Sequence, residues 1–348
     1  MMQTKIWDLR GEVDSPNAKA AIEEIAEVYR EGELVAIPTE TVYGLGANAK
    51  DDATVKKIYE AKGRPSDNPL IVHIYDEAQM DDFITEIPEK AQQLMDVFWP
   101  GPISFILPLK EGFLCKRVSG GLSSIAVRMP SHPVGRAILK AVRLPIAAPS
   151  ANLSGRPSPT TFEHVNHDLN GKVAGIVNGD QSEEGLESTV LDCTQYPFRI
   201  ARPGAITAEM IEQVIPGSID TDSVLNTDKP IAPGMKYKHY SPDTPVAMLT
   251  NLNTAITSQN NWESTLFAVP ATLRKYIPEN AVYRELSVDE TDLKNANHNL
   301  YQILHELDTD TNIEQGYIFK FDKTDESNAF LNRLEKATGN QIVGAEQL

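Results

Sequence analysis

Apolar and polar positions follow two periods along the first 215 residues, and this alternation predicts an α/β fold. Continuous apolar runs such as 34–37 and 103–109 are typical of strands buried in a sheet. Between such runs, segments such as 133–142 place apolar residues at helical spacing. Ser15 followed by Pro16 is a typical helix start, because serine caps the first turn and proline fits its first position. We therefore expect helices packed against a sheet.

A second, smaller α/β domain is predicted near the C-terminus. In the first domain the predicted strands are 34–37, 70–75, 103–109, 124–129, 145–148, 173–177, 188–193 and 199–202, and the predicted helices are 20–29, 52–61, 88–98, 133–142 and 207–214. In the second, the predicted strands are 246–250, 265–269, 282–286 and 317–321, and the predicted helices are 295–307 and 326–337. This strand–helix alternation favours a mainly parallel sheet. The chain thus divides into domains 1–215 and 246–348, joined by residues 216–245.

The connecting segment 216–245 has its own composition. Hydrophobic periodicity vanishes there, and Pro, Gly, Asp and Ser accumulate over a length that exceeds an ordinary connection. It also contains the cationic and aromatic run Lys236-Tyr237-Lys238-His239-Tyr240. A spacer does not need such side chains, whereas a lid over a nucleotide would use them for stacking and charge neutralisation. A ligand lid is therefore favoured over a plain linker.

Charge and cysteine content narrow the class of protein. The 348 residues carry 32 Lys and Arg against 49 Asp and Glu, a net charge of −17 that disfavours general binding to nucleic acid. Residues 112–162 nevertheless lack any acid and hold seven cations. Cys115 and Cys193 stand apart, as buried hydrophobes in a reducing cytoplasm would, and no zinc spacing occurs. Nothing in the chain predicts a signal peptide or a membrane span.

Polar motifs follow several predicted strands, where α/β folds place ligands. Segment 38–46 follows a buried strand and is either a tight turn or a binding loop. Lys62-Gly63-Arg64 is equally well explained as a helix cap or an anion site. Segment 147–159 offers hydroxyls among small residues, which suits phosphate, although a Ser/Pro-rich surface loop has the same composition. Arg128 ends a strand and could fork a carboxylate or phosphate.

Other motifs are less specific or missing. His73 lies within a strand, where a lone histidine is usually structural. No Walker loop, GxSxG elbow or HExxH motif occurs, so covalent hydrolysis is not favoured. The recurring set of hydroxyls, Lys, Arg and small residues suits positioning and electrostatic catalysis on a nucleotide.

Together these segments resemble the YrdC-type threonylcarbamoyl-AMP synthases, in their long form with an extra C-terminal domain. The family signature KxR…SxN stands here as Lys62-Gly63-Arg64 and Ser150-Ala151-Asn152. Matching segments also occur, in order, at 38–46 (PTETVYGLG), 68–74 (NPLIVHI), 99–102 (WPGP), 125–130 (IAVRMP), 149–152 (PSAN), 187–190 (ESTV) and 232–240 (APGMKYKHY). The resemblance covers residues 20–245 strongly. Ser104 departs from it, because a threonine is common there.

The resemblance implies a fold and an activity. The fold is a twisted mixed sheet with a concave basic surface, plus a smaller Rossmann-like α/β domain at the C-terminus. The activity condenses L-threonine, bicarbonate or CO₂, and ATP with Mg²⁺ into threonylcarbamoyl-adenylate, releasing pyrophosphate. A partner transferase then delivers the threonylcarbamoyl group to adenosine 37 of tRNAs that read ANN codons. A cytoplasmic enzyme with no membrane partner is expected.

The resemblance also implies residue roles. Lys62 and Arg64 are the expected catalytic residues. ATP would be held by Lys62, Arg64, Ser66, Ser124, Ser150, Asn152, Ser158, Arg202, Lys236, Tyr237 and His239. L-Threonine would be held by Thr39, His73, Arg128, Ala148 and Ser188. No metal ligand is expected from the protein, because Mg²⁺ would sit on the ATP phosphates, and no general base is apparent.

Two rival hypotheses remain at this stage. A basic concavity could bind double-stranded RNA without catalysis, although the net charge of −17 disfavours strong binding. Carbamoyl-adenylate chemistry occurs in hydrogenase-maturation carbamoyltransferases with a similar domain, but nothing here matches their zinc-finger and acylphosphatase-like segments.

Overall fold

A computed structural model describes residues 3–11, 13–63, 68–220, 239–257 and 260–348. The chain divides into two compact units. The first comprises residues 1–154, 159–183 and 187–236, and the second comprises 155–158, 184–186 and 237–348. Lys236 and Tyr237, predicted in the lid, lie outside the described residues, as do Arg64 and Ser66.

A mixed ten-stranded sheet forms the centre of the first unit. Its strands are β1 (Lys5–Asp8), β2 (Val35–Ile37), β3 (Gly44–Asn48), β4 (Ile71–His73), β5 (Ile103–Pro108), β6 (Ser124–Arg128), β7 (Ile146–Ala147), β8 (Gly175–Asn178), β9 (Thr189–Asp192) and β10 (Arg199–Arg202). Their order across the sheet is β1-β8-β2-β3-β7-β4-β6-β5-β9-β10. The predicted mixed sheet is confirmed.

Five of the seven helices described in this unit begin after a residue whose side chain caps the first turn; α3 and α4 do not. They are α1 (Pro16–Arg30), α2 (Asp52–Lys62), α3 (Glu89–Phe98), α4 (Lys116–Ser119), α5 (Pro133–Val142), α6 (Phe162–Leu169) and α7 (Ala208–Val214). The Ser15 side chain accepts from the Ala18 N–H, as its sequence position predicts. Helix α2 ends at Gly63, whose φ of +62° suits glycine and satisfies the last turn.

Two hydrophobic cores cover opposite faces of the sheet. In β2, Ala36 belongs to one core, whereas its neighbours Val35 and Ile37 belong to the other. This alternation is the period of a strand with both faces buried. Helices α2 and α3 contribute to the core of Ala36, and α1 and α5 to the core of Val35.

Helices α1 and α5 cover one face of the sheet at β2. Farther along the sheet, the same face carries polar side chains. Ile146 of β7, which packs with α5, pairs with His73 of β4. The same register continues from His73 to Arg128 of β6 and then to Ser104 of β5. Residues that pair directly across strands share a face. A row of chemically active side chains therefore crosses the sheet.

The second unit contains a five-stranded sheet in which all pairings are parallel. Its strands are β11 (Val246–Thr250), β12 (Thr265–Val269), β13 (Val282–Glu285), β14 (Gln315–Phe319) and β15 (Ile342–Gly344), in the order β13-β12-β14-β11-β15. Its helices are α8 (Leu293–Thr309) and α9 (Asn328–Thr338). The predicted small parallel α/β domain is confirmed.

Some elements differ from their predictions. Segment 38–46 is predicted as a tight turn or a binding loop, but residues 44–46 are the start of β3 (Gly44–Asn48), an antiparallel partner of β2. A Cβ on Gly46 would lie 2.2 Å from the Tyr29 hydroxyl, so packing requires a glycine within this strand. Strand β14 lies two residues before its predicted position, and α6 was not predicted.

Candidate functional site

Arg128 is the centre of the first group of polar residues. Its Nη1 donates to Thr41 Oγ1 at 2.7 Å and its Nε to the Gly101 carbonyl at 3.3 Å. Its Nη2 lies 2.7 Å from Glu40 Oε1 in a buried ion pair. We call Thr39, Glu40, Thr41, Gly101 and Arg128 the Arg128 cluster. Its guanidinium is held from three sides, as planar recognition of an anion requires.

The loop that supplies Glu40 and Thr41 comes from an unexpected direction. It follows β2, which runs opposite to β6, so the carboxyl ends of these two strands point apart. Residues 38–42 therefore have to cross back over the sheet to reach Arg128. Pro38 fits between two glycines, since a Cβ on Gly135 or Gly179 would come within 2.5 Å of it. The Ser182 hydroxyl also donates to the Thr39 carbonyl.

A chain of hydroxyl groups extends from the guanidinium. Thr39 Oγ1 donates to the Val42 carbonyl at 2.6 Å and lies 2.9 Å from Thr41 Oγ1. Because the Thr39 hydrogen is used on Val42, the hydrogen between the two threonines belongs to Thr41. Arginine only donates, so the hydrogen bonds run from Arg128 to Thr41 to Thr39 to Val42.

A second arginine, Arg202, contacts Ser188, which in turn contacts Ser104 of the same row. Arg202 donates through Nε to the Ser188 carbonyl at 3.1 Å and through Nη2 to the Ser188 hydroxyl at 3.2 Å. The Ser188 hydroxyl lies 2.8 Å from that of Ser104. A Cβ on Gly204 would lie 2.2 Å from the Thr189 amide nitrogen, so this turn packs closely on Ser188–Thr189. The predicted sites Ser188 and Arg202 thus come together.

His73 is a neutral side chain in this row. Burial lowers the pKa of His73 to about 3, and the charge of Arg128 acts in the same direction. Its Nδ1 lies 3.3 Å from the Ile71 carbonyl, which can only accept. The proton is therefore assigned to Nδ1, and Nε2 is left as an acceptor.

Lys62 forms a separate group with the Ser150–Asn152 segment. Its Nζ donates to the carbonyls of Ser150 and Asn152, the latter at 2.7 Å, and lies 3.5 Å from Asn152 Oδ1. We call Lys62, Ser150 and Asn152 the Lys62 cluster. These acceptors are neutral oxygens, and they fix the direction of the ammonium. The described residues of the predicted KxR…SxN signature, Lys62, Ser150 and Asn152, are therefore in contact.

Other predicted residues are placed less directly. Ala148 is buried, and its N–H donates to the Ile71 carbonyl. Ser124 pairs with Pro108 at the start of β6, about 13 Å along the strand from Arg128, so the structure does not bring these two together. Ser158 and His239 belong to the second unit, where the Ser158 carbonyl lies 3.1 Å from His305 Nε2. The ring of His239 lies 5.5 Å from that of Tyr240.

Sequence reasoning missed three residues of these groups: Glu40, Thr41 and Ser104. Glu40 and Thr41 were visible only as members of the 38–46 loop, and Ser104 only as a departure from the family pattern. Their partners lie more than 80 residues away along the chain. The loop 38–42 brings Glu40 and Thr41 to Arg128, and the pairing of β5 with β9 brings Ser104 close to Ser188.

The described residues also bear on metals and membranes. Among them, no three His, Cys, Asp or Glu side chains cluster in a way that could hold a metal ion. No described helix is both long and apolar enough to cross a membrane.

Comparison with known proteins decides the family. A model for the Sua5, YciO and YrdC proteins, described as "Telomere recombination", matches residues 27–204. The chain belongs to the Sua5/YrdC family. A second model, "Threonylcarbamoyl-AMP synthase, C-terminal domain", matches residues 206–339 of this Sua5/YrdC chain. The resemblance stated from the motifs is confirmed.

Relatives of the Sua5/YrdC chain extend the match over its full length. It is 45% identical to the threonylcarbamoyl-AMP synthase of Bacillus subtilis, over 98% of this chain and 100% of the relative. It is 47% identical to that of Pyrococcus abyssi, over 67% of this chain and 70% of the relative. The crystal structure of P. abyssi Sua5 complexed with L-threonine superposes with a TM-score of 0.84 at 37% identity, covering 98% of this chain and 99% of that one. The chain is an enzyme of this nucleotidyltransferase type.

Proposed function

We propose that this protein synthesises L-threonylcarbamoyl-adenylate from L-threonine, bicarbonate or CO₂, and ATP, releasing pyrophosphate. One observation carries the proposal: the protein holds a buried arginine and, separately, a buried lysine beside an SxN segment, cations that suit a carboxylate and a phosphate. The names of the full-length relatives and the threonine complex of P. abyssi Sua5 support the same reaction.

The amino-acid half of the reaction is assigned to the row across the sheet. Arg128 binds the carboxylate of L-threonine, because a guanidinium matches two carboxylate oxygens. Thr39, Ser188 and Ala148 surround the rest of the molecule, and the neutral ring of His73 offers an acceptor at Nε2. A neutral histidine adds no second positive charge next to the amine, which has to lose its proton before it attacks CO₂.

The nucleotide half is assigned to the Lys62 cluster, with Arg64, Ser66, Ser124, Ser158, Arg202, Lys236, Tyr237 and His239 as further proposed contacts. The carbamate oxygen formed from threonine and CO₂ attacks the α-phosphorus of ATP, and the bond to pyrophosphate breaks. Negative charge gathers on the phosphoryl oxygens in the transition state. Lys62 and Arg64 stabilise that charge, and Lys62 is already oriented by carbonyl groups.

Magnesium enters this reaction with the substrate. Mg²⁺ prefers phosphate oxygens and water as ligands and often binds proteins through few side chains. The described residues contain no cluster that would hold it alone, so we propose that it arrives as the ATP complex. The product then passes to a transferase that modifies adenosine 37 of ANN-decoding tRNAs. Both cysteines are free, which suits the reducing cytoplasm we propose for this step.

The test is reconstitution with purified protein. L-Threonine, bicarbonate and Mg²⁺–ATP together should give pyrophosphate and a species with the mass of threonylcarbamoyl-adenylate. Omitting threonine or bicarbonate should abolish both products, and L-valine should not replace L-threonine. Pyrophosphate release that ignores threonine would contradict the proposal, as would the absence of any adenylate when all substrates are present.

A further inference from the structure

Glu40 and Arg128 form a buried ion pair that the substrate assignments leave unexplained. The Oε1–Nη2 distance is 2.7 Å, and the side chains are only 7% and 4% exposed. We propose that Glu40 is a positioning residue whose carboxylate sets the direction of the Arg128 guanidinium toward the substrate carboxylate. This inference rests on the proposed function, because it takes the substrate to be an α-amino acid bound through Arg128.

The contacts of the guanidinium show which donors stay available. A guanidinium has five N–H groups: one on Nε and two on each terminal nitrogen. Nε is used on Gly101, Nη1 on Thr41, and Nη2 faces Glu40. Because the Nη2–Glu40 contact is an ion pair and not a hydrogen bond, one N–H of Nη1 and both N–H groups of Nη2 are left without an acceptor among the described residues. Two such N–H groups match the two oxygens of a carboxylate.

Of the three contacts, the one with Glu40 is the strongest constraint. The contact with Gly101 is long, at 3.3 Å, and Thr41 is neutral. The contact with Glu40 is an ion pair without a hydrogen bond, and the attraction between two buried opposite charges exceeds that of a hydrogen bond to a neutral oxygen. Without the carboxylate, only two neutral acceptors would oppose rotation of the guanidinium, and each alternative orientation would present its free N–H groups elsewhere.

The anchor persists at neutral pH. Burial acts to raise the pKa of Glu40, but the Arg128 charge, helped by the backbone N–H groups of Glu40 and Ser131, outweighs it and holds the pKa below its usual value. Glu40 is therefore ionised wherever the enzyme would work. Its loop is fixed in turn, since Pro38 is enclosed by Gly135 and Gly179.

A purely electrostatic role for Glu40 makes the opposite prediction. A carboxylate next to Arg128 repels a second carboxylate, so removing its charge would tighten substrate binding if charge alone mattered. Positioning predicts that removing it weakens binding. The sign of the change in threonine KM therefore separates the two roles.

The experiment compares Glu40→Gln with the wild-type enzyme, using Glu60→Gln as a matched control. Glu60 is exposed and pairs with Lys56 one turn away on α2, so its variant should behave as wild type. In Glu40→Gln we expect the KM for L-threonine to rise about tenfold or more, with the KM for ATP and kcat nearly unchanged. Arg128 binds the substrate carboxylate, which does not react. Misorientation of its guanidinium should therefore weaken substrate binding rather than slow turnover. An unchanged or lower threonine KM would overturn the proposal, as would an equal rise for ATP.

A shorter carboxylate and a substrate analogue keep the test decisive if Glu40→Gln does not fold. Glu40→Asp keeps the charge but withdraws it by one methylene, so positioning predicts an intermediate rise in threonine KM, and a wild-type value would contradict it. L-Threoninol lacks the carboxylate, so its inhibition constant should be the same in wild type and in both variants. A matching loss for L-threoninol would show that Glu40 acts on another part of the substrate.

Calorimetry with L-threonine separates this inference from the function beneath it. If the wild-type protein binds no L-threonine, the proposed function fails. If the wild type and Glu40→Gln bind it equally well, the function stands and only the positioning role of Glu40 fails.

Discussion

The Arg128 cluster and the Lys62 cluster hold buried cations in opposite ways. Arg128 faces a carboxylate at 2.7 Å, whereas the contacts described for Lys62 in its cluster are with backbone carbonyls and an amide oxygen. At Arg128 an ion pair contributes to the orientation, whereas at Lys62 the described contacts that orient the cation are hydrogen bonds to neutral oxygens. The first arrangement suits recognition of one carboxylate in one pose. The second suits a triphosphate, whose charge grows in the transition state.

The largest expected effect comes from removing the Lys62 ammonium. Lys62→Ala should lower kcat for adenylate formation by about a hundredfold or more, because the lost donor acts on transition-state charge. Rapid-quench measurement of adenylate checks this. Lys56→Ala is the control, since Lys56 is exposed on the same helix. A Lys62→Ala enzyme with near-normal kcat would remove the contrast between the clusters.

The next effect tests whether Arg128 acts by shape as well as charge. Arg128→Lys keeps the charge but loses the planar fork, so we expect the KM for L-threonine to rise about 10- to 100-fold while the KM for ATP stays within twofold. Steady-state kinetics at varied threonine measure it. Arg117→Lys, at an exposed ion pair with Asp52, should leave both constants unchanged. Full function of Arg128→Lys would mean that a point charge is sufficient there.

The smallest effect concerns stability rather than turnover. His73 has a folded-state pKa of about 3 against about 6.5 unfolded, so the unfolded chain binds its proton first as pH falls. This group's contribution to stability is complete above pH 6.5 and is lost progressively toward pH 3. Titration of His73 should therefore lower the free energy of unfolding by about 1.4 kcal/mol between pH 7.5 and pH 5.5.

Urea unfolding at the two pH values measures this contribution, with His73→Gln as the comparison. The side chain of the variant cannot take up a proton. Its free energy of unfolding should therefore decrease between pH 7.5 and pH 5.5 by about 1.4 kcal/mol less than that of the wild type. Equal losses in the two proteins would show that His73 titrates normally in the folded state.

Much of the fold could be predicted because it depends on local patterns. The predicted strand 199–202 and the predicted helix 133–142 coincide with β10 and α5. Strand β3 could not be predicted, because its two glycines are typical of a turn. The reason for glycine at position 46 is the Tyr29 hydroxyl, which leaves no room for a side chain, and this contact is visible only in the structure. Elements that depend on local sequence patterns could thus be predicted, whereas an element that depends on packing against a distant residue could not.

The same distinction applies to the candidate site, where single residues could be predicted but contacts between distant residues could not. The motifs identified Arg128, Lys62 and Ser188 as residues, but not their partners. Glu40 meets Arg128 across 88 positions of sequence, through a loop that crosses the sheet against the direction of β6. No spacing in the sequence encodes that crossing. The roles of Arg64, Ser66, Lys236 and Tyr237 stay predictions from resemblance, since these residues lie outside the described part of the chain.

The hydroxyl groups beside Arg128 form a closed hydrogen-bond network. The hydrogen of Thr39 is used on the Val42 carbonyl, and its oxygen already accepts from the Thr41 hydroxyl and from the N–H groups of Thr41 and Val42. A ligand that hydrogen-bonds to Thr39 therefore has to displace one of these contacts. Because Thr41 is also the acceptor for Arg128, such a displacement would change the hydrogen bonds of the loop and of the guanidinium together.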